Sequence, residues 1–243
     1  MALMVLAGIM SAVVMTEPKR RLKYNKEEKK RKNKSKNIMG NLRSEILEHV
    51  SAAPDATPFF AGEVKALFPN TRGTTVDKAL FDLVESDELR RYAKGIYYKP
   101  WFWPGTTFDM GCDTTTLIEK LWLAPDEGYA SGAMYANEMG LQTVLPVKID
   151  IFTNKWRVRR GLADKLNVRL HKPKITVNSE NKDILKLLDA VKDDTAFDAP
   201  TAPLLLATEI DRLSLNKLEL YETAEKHYPK KVREYVAKAC LSA

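Results

Sequence analysis

The chain has few of the residues that form covalent or metal-held scaffolds. Its 243 residues include two cysteines, Cys112 and Cys240, which lie far apart and outside any CxxC pair. The three histidines, His49, His171 and His227, are equally scattered, and we expect them at surface or packing positions. This spacing excludes a disulfide framework and offers no pattern for a zinc site. We therefore expect no bound metal, and two unpaired thiols fit a cytoplasmic protein.

A long hydrophobic run is also missing. Residues 1–15, MALMVLAGIMSAVVM, are apolar throughout but fall short of the roughly 20 residues that a membrane-spanning helix needs. No basic residues precede them, as they would in a secretory signal. We expect this leader to be dispensable, with a natural start at Met39. The alternative is a short anchor with a positive cytoplasmic flank, which would make the chain a membrane-tethered interaction protein.

Catalytic signatures are absent from the middle of the chain. Residues 113–171 contain no HExxH, P-loop or GxSxG sequence and no pair of carboxylates at helical spacing. Asp109, Asp113, Asp126 and Glu127 have no evident partner, so we expect them at the surface. The sequence thus predicts no catalytic residues, no cofactor and no enzyme. A nuclease or transferase that uses this region is the alternative.

Positive charge is abundant but concentrated in one segment. The chain carries a formal net charge of +7, and residues 19–36 hold 11 Lys and Arg against two acids, Glu27 and Glu28. A run of like charge without apolar periodicity predicts disorder in isolation. It could be a DNA-binding arm, a lipid-headgroup contact or a solvated leader. Because residues 37–243 are close to neutral, any DNA groove there must come from local placement of cations.

Residues 70–100 predict a helix followed by a short basic hairpin. The predicted apolar stripe of the helix has a period of 3.6 residues and comprises Val76, Leu80, Phe81 and Val84. Asn70 or Thr71 is the expected side-chain cap. Residues 89–92 and 95–99 are strand-like, and Gly95 in the turn at 93–95 can take the positive φ that a tight hairpin needs.

The helix start and the hairpin carry a set of hydroxyl and basic side chains that suits DNA. Small hydroxyls around one guanidinium can reach phosphates and base edges in the major groove, and cations on a hairpin can lie along the phosphate backbone. The candidate DNA-binding residues are Thr71, Arg72, Thr74, Thr75, Lys78, Arg90, Arg91 and Lys94. A helix–hairpin core with solvated charges, or a protein–protein module, is the alternative.

Two further helices are predicted before this stretch, at 41–51 and 62–68, which completes a winged helix-turn-helix domain over residues 39–100. Residues 101–106, WFWPGT, follow as an aromatic linker, which either pins one domain to the next or stacks on bases. Residues 107–243 predict a mixed α/β domain that ends in a helical C-terminal region. The fold class is therefore α+β, with residues 1–38 as an apolar leader and basic segment.

The second domain is predicted to hold three strands between helices. Helices are expected at 113–123 and 133–139, strands at 147–153, 155–162 and 166–171, and four helices from residue 181 onward. Cations line the second of these strands: Lys155, Arg157, Arg159 and Arg160. They form a possible second basic surface, and either a nucleic-acid contact or a solvated sheet face is consistent with it.

Several short motifs, in order, resemble one known family. They are TVDKAL at 75–80, LRRY at 89–92, GIYYKP at 95–100, GYASG at 128–132, GLQT at 140–143, residues 146–154, and YPKKVR at 228–233. Together they cover about residues 40–243. On these motifs the chain resembles the AbiEi-like antitoxins of type IV toxin–antitoxin systems and the related bacterial transcriptional regulators.

The resemblance implies an N-terminal winged helix that binds operator DNA and represses its own operon. It also implies a C-terminal α/β domain with antitoxin activity against a nucleotidyltransferase-like toxin, typically without a stable complex. The family's DNA contacts fall by position on the eight candidate residues named above. Winged helices often read palindromes as dimers, so a homodimer on DNA is also expected. A regulator or interaction protein without a toxin partner is the alternative.

Overall fold

The computed structural model describes residue 28 and residues 39–143, 145–192 and 202–241. The apolar leader and, apart from Glu28, the basic segment at 19–36 lie outside this part of the chain. The protein divides into two compact units, with the boundary between Asp113 and Thr114. Each unit combines helices with one three-stranded sheet, so the predicted α+β class is confirmed.

The described part of the first unit contains three helices and three short strands. They are α1 over residues 39–51, β1 (Pro58–Phe60), α2 (Ala61–Leu67), α3 (Gly73–Glu85), β2 (Arg90–Ala93) and β3 (Ile96–Tyr98). The sheet is antiparallel with the order β1-β3-β2, and Pro58 lies opposite Tyr98. Gly95 takes a φ of +72° in the turn between β2 and β3, as predicted for this hairpin.

The start of α3 differs from the predicted one. Arg72, rather than Asn70 or Thr71, occupies the N-cap position, and no side chain caps the helix. The turn is closed by the backbone instead, with the Thr75 N–H donating to Arg72 O at 2.8 Å. An ion pair between Lys65 Nζ and Asp77, at 2.8 Å, joins α2 to the first turns of α3. The hydroxyl groups near the helix start are therefore not used as caps.

The apolar core of the first unit draws on all three helices and the sheet. Its buried members are Leu42, Ile46, Val50, Val64, Val76, Ala79, Leu80, Leu83, Leu89 and Tyr97. The prediction that Phe81 is buried is wrong, because its side chain is 58% exposed. Each helical residue turns about 100°, which carries Phe81 well off the stripe that Val76 begins, whereas Leu83 returns to it.

Residues 101–110 form a second hairpin, and the rings predicted as a linker lie on it. The Trp103 N–H donates to Phe108 O at 2.9 Å, and the Met110 N–H donates to Trp101 O at 2.8 Å. The side chains of Trp101, Trp103 and Phe108 are exposed. This segment is thus hydrogen-bonded backbone within the first unit.

The second unit alternates strands with helices and then becomes helical. Its elements are α4 (Thr114–Ile118), continued by a π-helical turn (Glu119–Leu123), β4 (Gly128–Ser131), α5 (Ala133–Glu138), β5 (Ile149–Thr153), a 3₁₀ turn (Arg160–Leu162), β6 (Val168–His171), α6 (Lys182–Lys192), α7 (Ala202–Arg212), α8 (Lys217–His227) and α9 (Lys230–Leu241). The sheet order is β4-β5-β6, with β4 antiparallel and β6 parallel to β5.

The strand predicted at 155–162 is not formed. Residues 154–159 are turns and Arg160–Leu162 is a 3₁₀ turn, with Arg159 in the left-handed region at a φ of +51°. Parallel strands need a crossover connection, and this segment is part of the crossover from β5 to β6. The Trp122 indole N–H fixes it by donating to Val158 O at 2.8 Å.

Gly128, at the start of β4, has almost no room around it. A Cβ at this position would lie 2.4 Å from Trp122 O and 2.8 Å from the Thr153 Cβ. The Thr153 hydroxyl donates to Trp122 O at 2.6 Å from the facing strand. The π-helical turn, β4 and β5 therefore meet at a point that admits only glycine.

A buried polar group lies in the helical core of the second unit. Asp189 is 1% exposed, and its Oδ2 accepts a hydrogen bond from the Tyr129 hydroxyl at 2.5 Å. Among the described residues, neither Asp189 Oδ1 nor the Tyr228 hydroxyl meets hydrogen-bond geometry with a partner, although the Tyr228 hydroxyl lies close enough to interact electrostatically with the carboxyl. Burial raises the pKa of the Asp189 carboxyl, although the Tyr129 hydrogen bond acts in the opposite direction. A protonated Asp189 carboxyl can donate a hydrogen bond, which the ionised carboxylate cannot.

Leu83→Ala should destabilise the protein far more than Phe81→Ala. Truncating a fully buried leucine costs about 2–5 kcal/mol of unfolding free energy, because a cavity is left behind. Truncating the exposed Phe81 should cost less than about 1 kcal/mol. Urea unfolding of the two variants measures this contrast, and equal losses would contradict the placement of Phe81 at the surface.

Asp189→Asn should change the pH dependence of stability. The pKa of Asp189 is raised in the folded protein, so its contribution is present below the unfolded value of about 3.9 and is lost as pH rises through the folded pKa. We expect wild type to lose stability relative to Asp189→Asn between pH 4 and pH 7.5, because the proton held by the folded protein is released as pH rises. Urea unfolding at both pH values tests this prediction. The control is Asp183→Asn, which removes an exposed carboxylate from the same helix. Parallel pH profiles for wild type and Asp189→Asn would contradict it.

Candidate nucleic-acid interface

Five of the eight candidate DNA-binding residues lie together at the start of α3. Arg72, Thr74 and Lys78 are exposed, and Thr71 and Thr75 are half-buried. No acidic residue lies in the first turn, and the one that follows, Asp77, is paired with Lys65. The positive end of the helix dipole adds to the charges of Arg72 and Lys78. The site is therefore locally cationic in a body that is nearly neutral.

The other three candidates lie on the β2–β3 hairpin and differ in their surroundings. Arg91 is exposed, and its Nε donates to Ala93 O at 3.4 Å, while Lys94 is exposed at the turn. Arg90 instead contacts the carboxylate of Asp87, and its Nε lies 3.9 Å from Asp109 Oδ2. The charge of Arg90 is thus compensated by two acids, and the side chains of Arg91 and Lys94 are exposed on the hairpin.

Asp109 joins the two hairpins of the first unit. Its Oδ2 accepts a hydrogen bond from the Tyr98 hydroxyl at 3.0 Å, and its Oδ1 accepts one from the Gly111 N–H at 3.0 Å. Burial, helped by the Asp109 carboxylate, raises the pKa of Tyr98 to about 12. The expectation that Asp109 is a surface acid without a partner is therefore wrong. Asp126 is exposed, as expected, but it has a partner, since it pairs with Lys182 at 3.2 Å.

Contrary to the sequence prediction, the four cations of the possible second basic surface do not lie along a strand. Lys155 turns inward, where its Nζ pairs with Glu127 at 2.9 Å and donates to Ala124 O at 2.8 Å. Glu127, predicted to lack a partner, is therefore also paired. Arg157, Arg159 and Arg160 are exposed on the crossover rather than along a strand. The structure does not place these four cations on one sheet face.

Sequence reasoning missed three residues near this surface. Trp156, Lys172 and Lys174 line the same cleft as Lys155. Their proximity depends on the parallel pairing of β5 with β6, which brings together segments 16 or more residues apart. The available signal was the Lys-Pro-Lys sequence at 172–174, directly after a strand.

The described residues contain no group of three or more His, Cys, Asp or Glu that could hold a metal ion. One acid–imidazole contact does occur, where His171 Nε2 lies 2.6 Å from Asp150 Oδ1. Arg169 shares that oxygen at 3.2 Å, and the His171 ring stacks on Phe152 with centroids 4.7 Å apart. His171 is thus a packing residue at the sheet edge. In the described part of the chain, no helix is long and apolar enough to cross a membrane.

The chain has no counterpart in three kinds of comparison. No protein-family model, no curated protein and no solved structure matches it. Functional inference therefore depends on the residues of this chain, their geometry and the short motifs of its sequence.

Proposed function

We propose that the first unit is a winged helix-turn-helix domain that binds double-stranded operator DNA, and that the protein is a transcriptional regulator of its own operon. The observation that carries this proposal is the order α1-β1-α2-α3-β2-β3 with the sheet order β1-β3-β2. In this arrangement α3 is the recognition helix and the β2–β3 hairpin is the wing. A helix of 13 residues is long enough to lie in a major groove.

The start of α3 supports base and phosphate contacts. Arg72 and Lys78 have no ion-pair partner among the described residues, so neither must break an internal contact to meet DNA. Arg72 can bind a guanine edge or a phosphate with two hydrogen bonds, and the hydroxyls of Thr74 and Thr75 can donate to phosphate oxygens. The helix dipole favours the anion at this end.

The wing supports backbone contacts. Arg91 and Lys94 are its exposed cations, and Arg90 contacts Asp87 and Asp109. Arg91 and Lys94 should therefore neutralise phosphates, and Arg90 should act mainly in fixing the hairpin. Surface ion pairs of this kind contribute about 1 kcal/mol or less, so the hairpin is positioned rather than strongly stabilised by them.

We further propose that the second unit carries antitoxin activity against a nucleotidyltransferase-like toxin, in the cytoplasm and without a stable complex. The resemblance of its motifs to AbiEi-like antitoxins supports this role, including GYASG, which covers β4 and the glycine after it. A homodimer on a palindromic operator accords with the same reading. A regulator or interaction protein that has no toxin partner, and a nucleic-acid-processing enzyme, are the alternatives.

Arg72→Ala should weaken binding to the protein's own upstream DNA by about tenfold or more, because one base or phosphate contact of about 1–3 kcal/mol is lost. Arg91→Ala should reduce the slope of log K against log salt by about one, because one phosphate contact is lost. Electrophoretic mobility shifts over a series of salt concentrations measure both effects. Lys226→Ala, which removes one exposed cation from α8, is the matched control. Equal weak binding to all DNA, unchanged by Arg72→Ala, would argue against sequence-specific recognition.

Co-expression should protect cells from a toxin encoded beside the gene. If a nucleotidyltransferase-like reading frame is the neighbour, its induction should arrest growth, and the full chain should restore growth. Arg72→Ala should weaken repression yet preserve rescue, because the proposal places the two activities in different units. Growth curves and a promoter-reporter assay measure them separately. Loss of rescue in this variant, with its protein level unchanged, would contradict that division.

A further inference from the structure

The second unit has a cleft of about 470 Å³ at one edge of its sheet. It is lined by residues that directly follow β5 and β6 and by the residue before β4: Glu127, Asn154, Lys155, Trp156, Lys172, Pro173, Lys174, Ile175 and Thr176. Because β5 and β6 are parallel, their carboxyl ends meet at this edge. Ligands of open α/β sheets bind outside the carboxyl ends of parallel strands, and the volume suits a small molecule.

The two walls of the cleft are joined by one side chain. Asn154, directly after β5, donates from Nδ2 to Val177 O at 2.9 Å and accepts from the Val177 N–H at 3.0 Å. Ile175 packs against the buried core, so the segment between Lys172 and Val177 is held at both ends. The cleft is therefore formed before any ligand arrives, which lowers the entropy cost of binding.

Two lysines line the cleft, and Lys174 also interacts electrostatically with the buried Asp189 carboxyl. Lys172 and Lys174 are exposed and both line the cleft, whereas Pro173 between them is buried. Neither lysine has a hydrogen bond or ion pair among the described residues. The one carboxylate among the lining residues, Glu127, is already paired with Lys155. The site therefore has a net positive charge and suits a phosphate group.

An aromatic ring stands beside these cations. Trp156 lines the cleft, and the guanidinium of Arg157 lies over its ring, 4.5 Å from the centroid. A cation over the indole ring fixes its orientation. Lysines that attract phosphate, next to an aromatic ring on which a base can stack, are the two elements of a nucleotide site.

We propose that this cleft binds a nucleotide unit, with its phosphate on Lys172 and Lys174 and its base against Trp156. The ligand is either a free nucleotide or one nucleotide of a single strand, since both present the same chemistry. This inference does not rest on DNA binding by α3, which belongs to the first unit.

Isothermal titration of the full chain with ATP, pyrophosphate and a single-stranded oligothymidylate tests the proposal. Lys172→Gln/Lys174→Gln should weaken both ATP and pyrophosphate by about tenfold, because charge-assisted hydrogen bonds are lost. Trp156→Phe should weaken ATP, which has a base, several-fold more than pyrophosphate, which has none. The control Lys226→Gln/Lys230→Gln removes two exposed cations from α8 and α9, of which Lys230 pairs with Glu234, and should leave both affinities unchanged.

The two sources of the ligand give different results. Tight binding of ATP that the oligonucleotide does not exceed would identify a free nucleotide. Tighter binding of the oligonucleotide, with a salt slope reduced in Lys172→Gln/Lys174→Gln, would identify a single strand. The proposal is overturned if that variant and the control bind all three probes alike. It is also overturned if Arg72→Ala/Arg91→Ala, rather than the cleft variants, abolishes nucleotide binding. Loss of operator binding alone would bear on the first unit and not on this cleft.

Discussion

The pairing of β1 with β3 is the constraint on which the first unit depends. β1 is three residues long, yet it adds the third strand to a hairpin that would be only marginally stable with two. Its ladder continues at both ends, where the Ala56 N–H donates to Lys99 O and the Ala61 N–H donates to Gly95 O, each at 3.0 Å. The second contact ties the start of α2 to the hairpin turn. The hairpin thus keeps a fixed place beside the helices that carry the candidate interface.

A comparable dependence holds in the second unit, where the parallel pairing of β5 and β6 places two loops side by side. The crossover between these strands contains no regular α-helix, and a tryptophan hydrogen bond from Trp122 supports it instead. Side chains that are far apart in sequence, such as Trp156 and Lys174, thereby come to line one cleft. In the second unit, the pairing of two short strands decides which polar groups line the cleft.

The helices could be predicted from the sequence because their apolar periodicity involves residues that are close together in the chain. The terminal helices and the hairpin turn at Gly95 follow the predicted pattern. The prediction that Phe81 is buried is wrong because a residue five positions after Val76 lies on a different face of the helix. The strand predicted at 155–162 is wrong because basic and apolar residues alternate there as in a strand. In the structure, this segment forms the turns of the crossover between β5 and β6.

The chemistry of the candidate sites was less readable than the fold. Arg90 and Arg91 are adjacent and identical in type, and only the tertiary positions of Asp87 and Asp109 separate a compensated cation from an outward one. The Lys-Pro-Lys sequence at 172–174 marks two cations after a strand, but their place in a cleft comes from a strand pairing that sequence periodicity does not reveal. The proposed antitoxin role is supported by the order of short sequence motifs and not by a geometric feature.

Gly128 has a consequence for how relatives of this chain could be recognised. A single added carbon there would overlap the Trp122 carbonyl, so the first residue of β4 and the last residue of β5 could no longer approach each other. The edge that holds the cleft would then open. A related sequence that forms the same cleft should therefore keep glycine at this position, even where the neighbouring side chains differ. The absence of a side chain at residue 128 is then the feature by which such a sequence can be recognised.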